Sequence, residues 1–384
     1  MKFIKYYQIY ILFILLIFTG NLYSQTDGFE SKEQSNAKHA TDYIVQNKKF
    51  EENNSNDSLK KKSLLGNLFV SREKFIYSDN PRYLIDGTLP NESTKIKLIP
   101  SLILGGVYAG VLYAQHVAQM NTIWKQQTNF RFLEDGRYAL WADKAGHIFG
   151  CYFTSYLWSE TLMLLGFSWD TSTLIGSILG FAYSTYVEIL DGFGANWGFS
   201  PSDEIANFFG AGFFLAQHYI PYLQNFTPKF IYIPANWHGE RRRHPSDMFI
   251  DDYSSHTIWM SVNMHNILPK SVKDYWPSWL DLSFGYAVRN LCAPNSPDGY
   301  QCDLNRAEKF YDKNGNLEVI GSPKFLIALD YDLVKLLPDD GPVWNWLRQS
   351  LNMFKLPSPT LEIGAVTRFY LMYPFPIKIG NVRF

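Results

Sequence analysis

Asp143, Lys144 and His147 stand together at the head of a long apolar run, DKAGHIFGCYFTSYLW. A carboxylate, an ammonium and an imidazole can hold a divalent metal, move protons or pair with one another, and a buried stretch tolerates them only where they meet partners. Two more such pairs lie downstream: Glu188 and Asp191 in EILDG, then Asp203 and Asn207 in SPSDEIANFFG. Asp143 and His147 are four apart, Glu188 and Asp191 three, Asp203 and Asn207 four. Each pair therefore occupies one face of a helix.

The elements that must position these groups are four long apolar segments, at 98–114, about 138–166, 171–190 and 201–223. All are helical in length. The connections GFSW and DGFGANWGFS are short enough for antiparallel reversals. With those reversals the head of the second segment, the foot of the third and the head of the fourth lie at one level. Gln115 and His116, at the end of the first, fall on the same side. A single carboxylate in hydrocarbon costs roughly 2.5 to 3.5 kcal/mol even on the lenient insertion scale, so the acids are expected to share one polar rim.

Each residue also has a plainer reading. Ser200 as N-cap, Pro201 behind it and Asp203 at the third position make an ordinary helix start. Lys144 suits an interfacial side chain snorkelling toward head groups. Asn207 could hydrogen-bond a neighbouring helix, and His147 could be a core histidine satisfied by a carboxylate.

Residues 98–123 and 205–228 contain no Asp, Glu, Lys or Arg, which favours membrane insertion over a soluble bundle. Lys2 and Lys5 precede an apolar run from Ile9 to Phe18, then small and polar residues to Ser24, the order of a secretory signal peptide at 1–24. Residues 25–66 are rich in Ser, Asn, Gln, Lys and Glu and read as a flexible linker. A helical bundle with a polar rim is expected over 67–228. From 229 to 384 the pattern changes to short aromatic and β-branched stretches, TIWMSVNM, WLDLSFGYAV, KFLIALDYDL, PTLEIGA and RFYLMYPF, separated by turn residues. The fold class is thus α+β: an antiparallel bundle of about four long apolar helices, followed by an antiparallel β-region. Counting back from Phe384 by twos gives Val382, Gly380, Lys378 and Pro376, a poor apolar face, so an independent barrel is not the expectation.

Thirty-five basic against 36 acidic residues leave no footprint of a nucleic-acid binder, and no glycine motif for a nucleotide stands out. Cys292 and Cys302 bracket the loop CAPNSPDGYQC and either pair or remain thiols; Cys151 reads as a small core residue. ERRRH, at 240–244, reads as a solvated loop.

The order DKAGH, EILDG, WGFSPSDEIANFFG resembles the uncharacterised YfiM family of bacterial envelope proteins over about 139–218, and more distantly the VanZ family. DDYSSHTIWMSVN and LPSPTLEIG resemble the C-terminal strands of its long Bacteroidetes-type members. YfiM looks like a lipoprotein, whereas this chain lacks a cysteine near its expected cleavage site. The VanZ-type Gln after the helix-terminal Glu is here Asp191. Neither family supplies an established reaction.

Two readings of function follow. In the preferred one the chain is a membrane-associated envelope protein whose cluster, with Asp143, Lys144 and Asn207 as binding residues, organises packing or binds a lipid head group. Its partner is a membrane lipid or another envelope component. In the other it is a hydrolase of a lipid or lipid-linked substrate. His147, Glu188 and Asp191 are then the catalytic candidates, and Asp143, His147, Glu188, Asp191 and Asp203 could ligate a divalent metal ion. Whether the protein is an enzyme is left open between them.

Overall fold

The computed structural model describes residues 83–234, 252–292, 308–311, 314–338, 340–375, 377–379 and 382–383. The expected signal peptide at 1–24 and linker at 25–66, the basic run at 240–244 and Cys302 with its possible disulfide lie outside these residues.

Four long helices come first: α1 (Leu98–Met120), α2 (Ala142–Leu164), α3 (Trp169–Phe193) and α4 (Pro201–Tyr219). Their ends follow local chemistry. Gly166, at φ 93°, takes the left-handed position that closes α2. Ser168 caps α3 by accepting from the Thr171 amide, and Ser200 caps α4 with Pro201 behind it.

Packing of α2, α3 and α4 depends on small residues. A Cβ on Gly176 would stand 2.7 Å from the Ser159 nitrogen, and one on Gly180 would stand 2.8 Å from the Ser155 nitrogen. Nearer the head of α2, a Cβ on Gly210 of α4 would stand 2.3 Å from the Ile148 carbonyl oxygen. α2 is therefore flanked by α3 and α4, which also pack on each other. By length and composition α1 and α3 could cross a membrane. At the end of α1, Gln115 donates to the Tyr183 hydroxyl, and His116 Nδ1 lies 2.5 Å from the Tyr186 hydroxyl.

The second half forms a seven-stranded antiparallel sheet: β1 (Phe226–Tyr232), β2 (His256–Val262), β3 (Leu280–Cys292), β4 (Glu308–Tyr311), β5 (Leu317–Tyr331), β6 (Ser358–Ile363) and β7 (Arg368–Tyr373). The order is β1-β2-β3-β5-β6-β7, with β4 paired to β5. The five stretches read as strands from the sequence all lie in this sheet, and β1 and β4 are additions to them. A helix α5 (Pro342–Leu351) precedes β6.

The sheet curls. The Phe230 amide donates to Met353 O at 3.1 Å and the Lys355 amide to Phe230 O at 3.0 Å, joining the β1 edge to the segment before β6. Inside the curl, Tyr373 of β7 packs 5.8 Å from Trp259 of β2 and accepts from Arg289 of β3 at 2.7 Å. The enclosed side is mixed: Trp259, Ala287, Leu326, Ala328 and Tyr373 form an apolar cluster, and buried charged groups lie beside it. Asp330 pairs with Lys229 at 3.2 Å and Lys355 at 3.4 Å, and accepts from Ser283 at 2.6 Å. Buried charges persist only with such partners.

Helices and sheet meet through α2. Phe149 stacks on Phe230 of β1 at 5.3 Å, and Phe153 meets Phe354 edge-on at 5.7 Å. From α5, the Trp346 indole donates to Glu160 of α2 at 3.0 Å, and Ser350 meets the Tyr156 hydroxyl at 2.8 Å. α2 is thus packed both within the helical layer and against the sheet of an α+β fold.

Candidate functional site

The approach to α2 is strained. Ala139, Leu140 and Trp141 have φ of 50°, 53° and 65°, and each non-glycine residue in that region costs about 1–2 kcal/mol. Ala139 and Leu140 are held there by burial in an apolar cluster with Tyr253, Val288 and Val319. The Tyr286 hydroxyl also donates to Leu140 O at 2.5 Å. This over-determined turn places Asp143 and Lys144 in the first turn of α2 and His147 in the second.

Around them the ends of α3 and α4 converge. Lys144 Nζ lies 2.7 Å from Asp143 Oδ2, 2.8 Å from Asp203 Oδ1 and 2.5 Å from Asp135 Oδ1. His147 Nε2 stands 3.5 Å from Asp143 Oδ1 and 3.7 Å from Asp203 Oδ1. Its Nδ1 stands 3.1 Å from Asn207 Oδ1 and 3.7 Å from Glu188 Oε1. Glu188 accepts from the Ser200 amide at 3.2 Å, and the Tyr253 hydroxyl donates to Asp143. The Ser200 hydroxyl donates to Asp135 at 2.6 Å. Three helices, the loop before α2 and the segment before β2 all contribute.

The electrostatics are those of carboxylates crowded around two cations. Burial pushes Asp203 up to about 7, the nearby charge of Asp143 adds to this, and His147 and Lys144 oppose it. Burial likewise lifts Glu188 to about 8. Against the same burial cost, hydrogen bonding and charge from His147, with Lys144 assisting, hold Asp143 well below the usual carboxylate range. His147 rises to about 10, since its contacts with Asp143, Asp203 and Glu188 outweigh desolvation. Near neutral pH the imidazole is therefore a cation with both ring nitrogens donating, and Asp143 is its ionised partner.

The cluster holds Asp143, Lys144, His147, Glu188, Asp203 and Asn207. Asp191 does not join the groups around His147. One turn beyond Glu188, it accepts from the Trp124 indole at 2.6 Å, and its charge helps to raise Glu188. Lys144 does not snorkel outward: its side chain is 11% exposed, because three carboxylates satisfy it inside. Asp203 does open α4, but its amide is capped by Ser200, so its carboxylate is free to face Lys144 and His147.

Sequence reasoning missed Asp135 and Tyr253. Asp135 lies in the loop before α2, outside the helical spacings that single out the other groups. Tyr253 precedes β2, more than a hundred residues from Asp143. Only the side-by-side arrangement of helix α2 and the sheet reveals it.

Ligand atoms of Asp143, His147 and Asp203 all lie within 4.8 Å of one another, so this O,N,O set could hold a divalent cation. The Lys144 ammonium already bridges two of those carboxylates. No curated protein and no solved structure matches the chain. Residues 131–218, which carry every one of the helix-borne groups above, match the family described as "Predicted periplasmic lipoprotein (DUF2279)", in keeping with an exported, envelope-associated protein.

Proposed function

We propose that this chain is a membrane-associated protein of the cell envelope, similar to YfiM and distantly to VanZ, whose buried cluster is an organiser of helix packing. Asp143, Lys144 and His147 of α2 are the shared partners, Glu188 and Ser200 bring in α3 and the α4 cap, and Asp203 and Asn207 complete it from α4. One observation carries the reading: Lys144 lies within 2.8 Å of Asp135, Asp143 and Asp203. An ammonium there supplies the positive charge that a metal ion would otherwise bring, and the site is neutralised by the chain itself. In this reading the partner is envelope lipid, met by other surfaces of the protein.

A hydrolytic reading, metal-dependent or acid-base, has one observation in its favour. The Asp143, His147 and Asp203 ligand atoms are close enough to share an ion, and acids shifted toward neutrality suit proton transfer. The purified full chain, equilibrated with zinc, manganese or magnesium and analysed for bound metal, separates the two. The organiser reading expects no stoichiometric metal. It expects Lys144→Met to unfold the protein at lower denaturant. Metal bound one-to-one and lost in His147→Ala and Asp203→Ala would replace the organiser with the metal site.

A further inference from the structure

The sheet has the wrong polarity for water. Along β3, β5 and β6 the positions facing into the curl include Asp281, Ser283, Asp330, Thr360 and Glu362, all buried. The alternate positions, Phe284, Phe325, Ile327, Leu361, Ile363 and Phe369, are 37–61% exposed. Strand register aligns these into two continuous rows, Phe284–Ile327–Leu361–Phe369 and Tyr286–Phe325–Ile363, neither containing a charge. A water-facing antiparallel sheet shows the reverse, with apolar groups inward and polar groups outward. Buried charged and hydroxyl groups behind an apolar outer face are the arrangement of strands that meet lipid, and here they share the enclosed side with the small apolar cluster of Ala287, Leu326 and Ala328.

We propose that the outer face of β3, β5, β6 and β7 docks against the hydrocarbon of an envelope lipid bilayer. The proposal rests on the membrane-associated reading above and names the surface that makes the contact. Two observations select lipid over a second copy of the chain. Aromatic groups gather at one end of the face: Trp279 stacks on Tyr331 at 6.3 Å, where β3 begins and β5 ends, and nearby Tyr275 is 87% exposed. Such amphipathic rings suit the head-group boundary. Apolar exposure continues on other elements, at Ile178 of α3 and at Phe208 and Phe209 of α4. A fluid layer covers dispersed faces, whereas a discrete partner covers one. The six residues of β6 and of β7 reach about 20 Å, short of the roughly 30 Å hydrocarbon core, so that side of the face can lie in the bilayer surface but not cross it, whereas β3 and β5, of 13 and 15 residues, are long enough to reach deeper.

The test uses the full chain with Cys151, Cys292 and Cys302 replaced by Ser. A dye is placed at Phe325→Cys, Leu361→Cys or, as a control in an exposed turn, Asn314→Cys. Vesicles of phosphatidylethanolamine and phosphatidylglycerol carry bromine on their acyl chains. The expected result is flotation with the vesicles, with quenching at Phe325 and Leu361 several-fold above that at Asn314. Phe325→Arg with Leu361→Arg, at outward positions that spare the interior, lowers vesicle partition on the order of tenfold or more while near-ultraviolet dichroism stays native. Flotation with equal, weak quenching at all three sites overturns the sheet face and leaves membrane association standing. Absence of flotation overturns both. Lipid-independent, concentration-dependent shielding of Phe325 and Leu361 makes a second copy the occupant and overturns the proposal.

Discussion

Replacing Asp203 by Asn tests the electrostatic description of the cluster most directly, because the shape is kept and one titration is removed. In the folded protein Asp203 is raised to about 7 from 3.8. Between those values the native chain holds a proton that the unfolded chain has lost. Stability therefore falls as pH rises through that window, by up to about 1.4 kcal/mol per pH unit. The side chain is 6% exposed, so solvent screening is slight. Asp143 and Asp203 titrate as a pair, and sharing between them reduces the total to about 2–4 kcal/mol. His147, raised to about 10 from 6.5, stabilises fully below the lower value, and that contribution is lost as pH climbs through the upper one. Asp143 acts in the opposite sense, losing its contribution only in acid below the ordinary carboxylate range. Denaturant unfolding of the full chain, followed by tryptophan fluorescence from about pH 4.5 to about pH 8, reads these slopes. The wild type is expected to lose stability with rising pH across the range. Asp203→Asn is expected to be flatter below about pH 7 and to be the more stable of the two near pH 8. A wild-type stability that rises over the window, or parallel slopes for the two proteins, would refute the assignment of Asp203 as the proton-holding acid.

Lys144→Met strands two buried carboxylates and should cost about 3–5 kcal/mol near pH 8 and less near pH 5, where Asp203 takes up a proton, as measured by the denaturation midpoint. Gly180→Ala should lower stability by about 1–3 kcal/mol although alanine favours helix, because its Cβ would stand 2.8 Å from the Ser155 backbone nitrogen. Gly212→Ala, with nothing within 4 Å, should be neutral or stabilising when both glycine variants are compared by denaturation midpoint.

Local rules made the helix ends legible: Ser200 and Pro201 announce α4, and three- and four-residue spacings place each polar pair on one face. Short connections then imply that His147, Glu188 and Asp203 come together, and they stand within 3.7 Å of the imidazole. What stayed hidden depends on long-range packing. Asp191 looks equivalent to Glu188 until Trp124 arrives to claim it. Lys144 looks interfacial because nothing nearby in the chain reveals that Asp135 folds back over it. The alternation in WLDLSFGYAV and PTLEIGA marks strands, but alternation alone does not say which face points inward. The paired Lys229, Asp330 and Lys355 decide that the polar side is enclosed.

The indole of Trp346 on Glu160 has a consequence for how the chain matures. Donor and acceptor are 186 residues apart, so the buried acid of α2 meets this indole only after nearly the whole polypeptide is available. Export from the amino terminus delivers the helices first and α5 near the end. Until then Glu160 has no indole to meet, and the apolar side of α2 lacks the segment that later covers it. Such distant closure slows folding and leaves apolar surface uncovered while it waits.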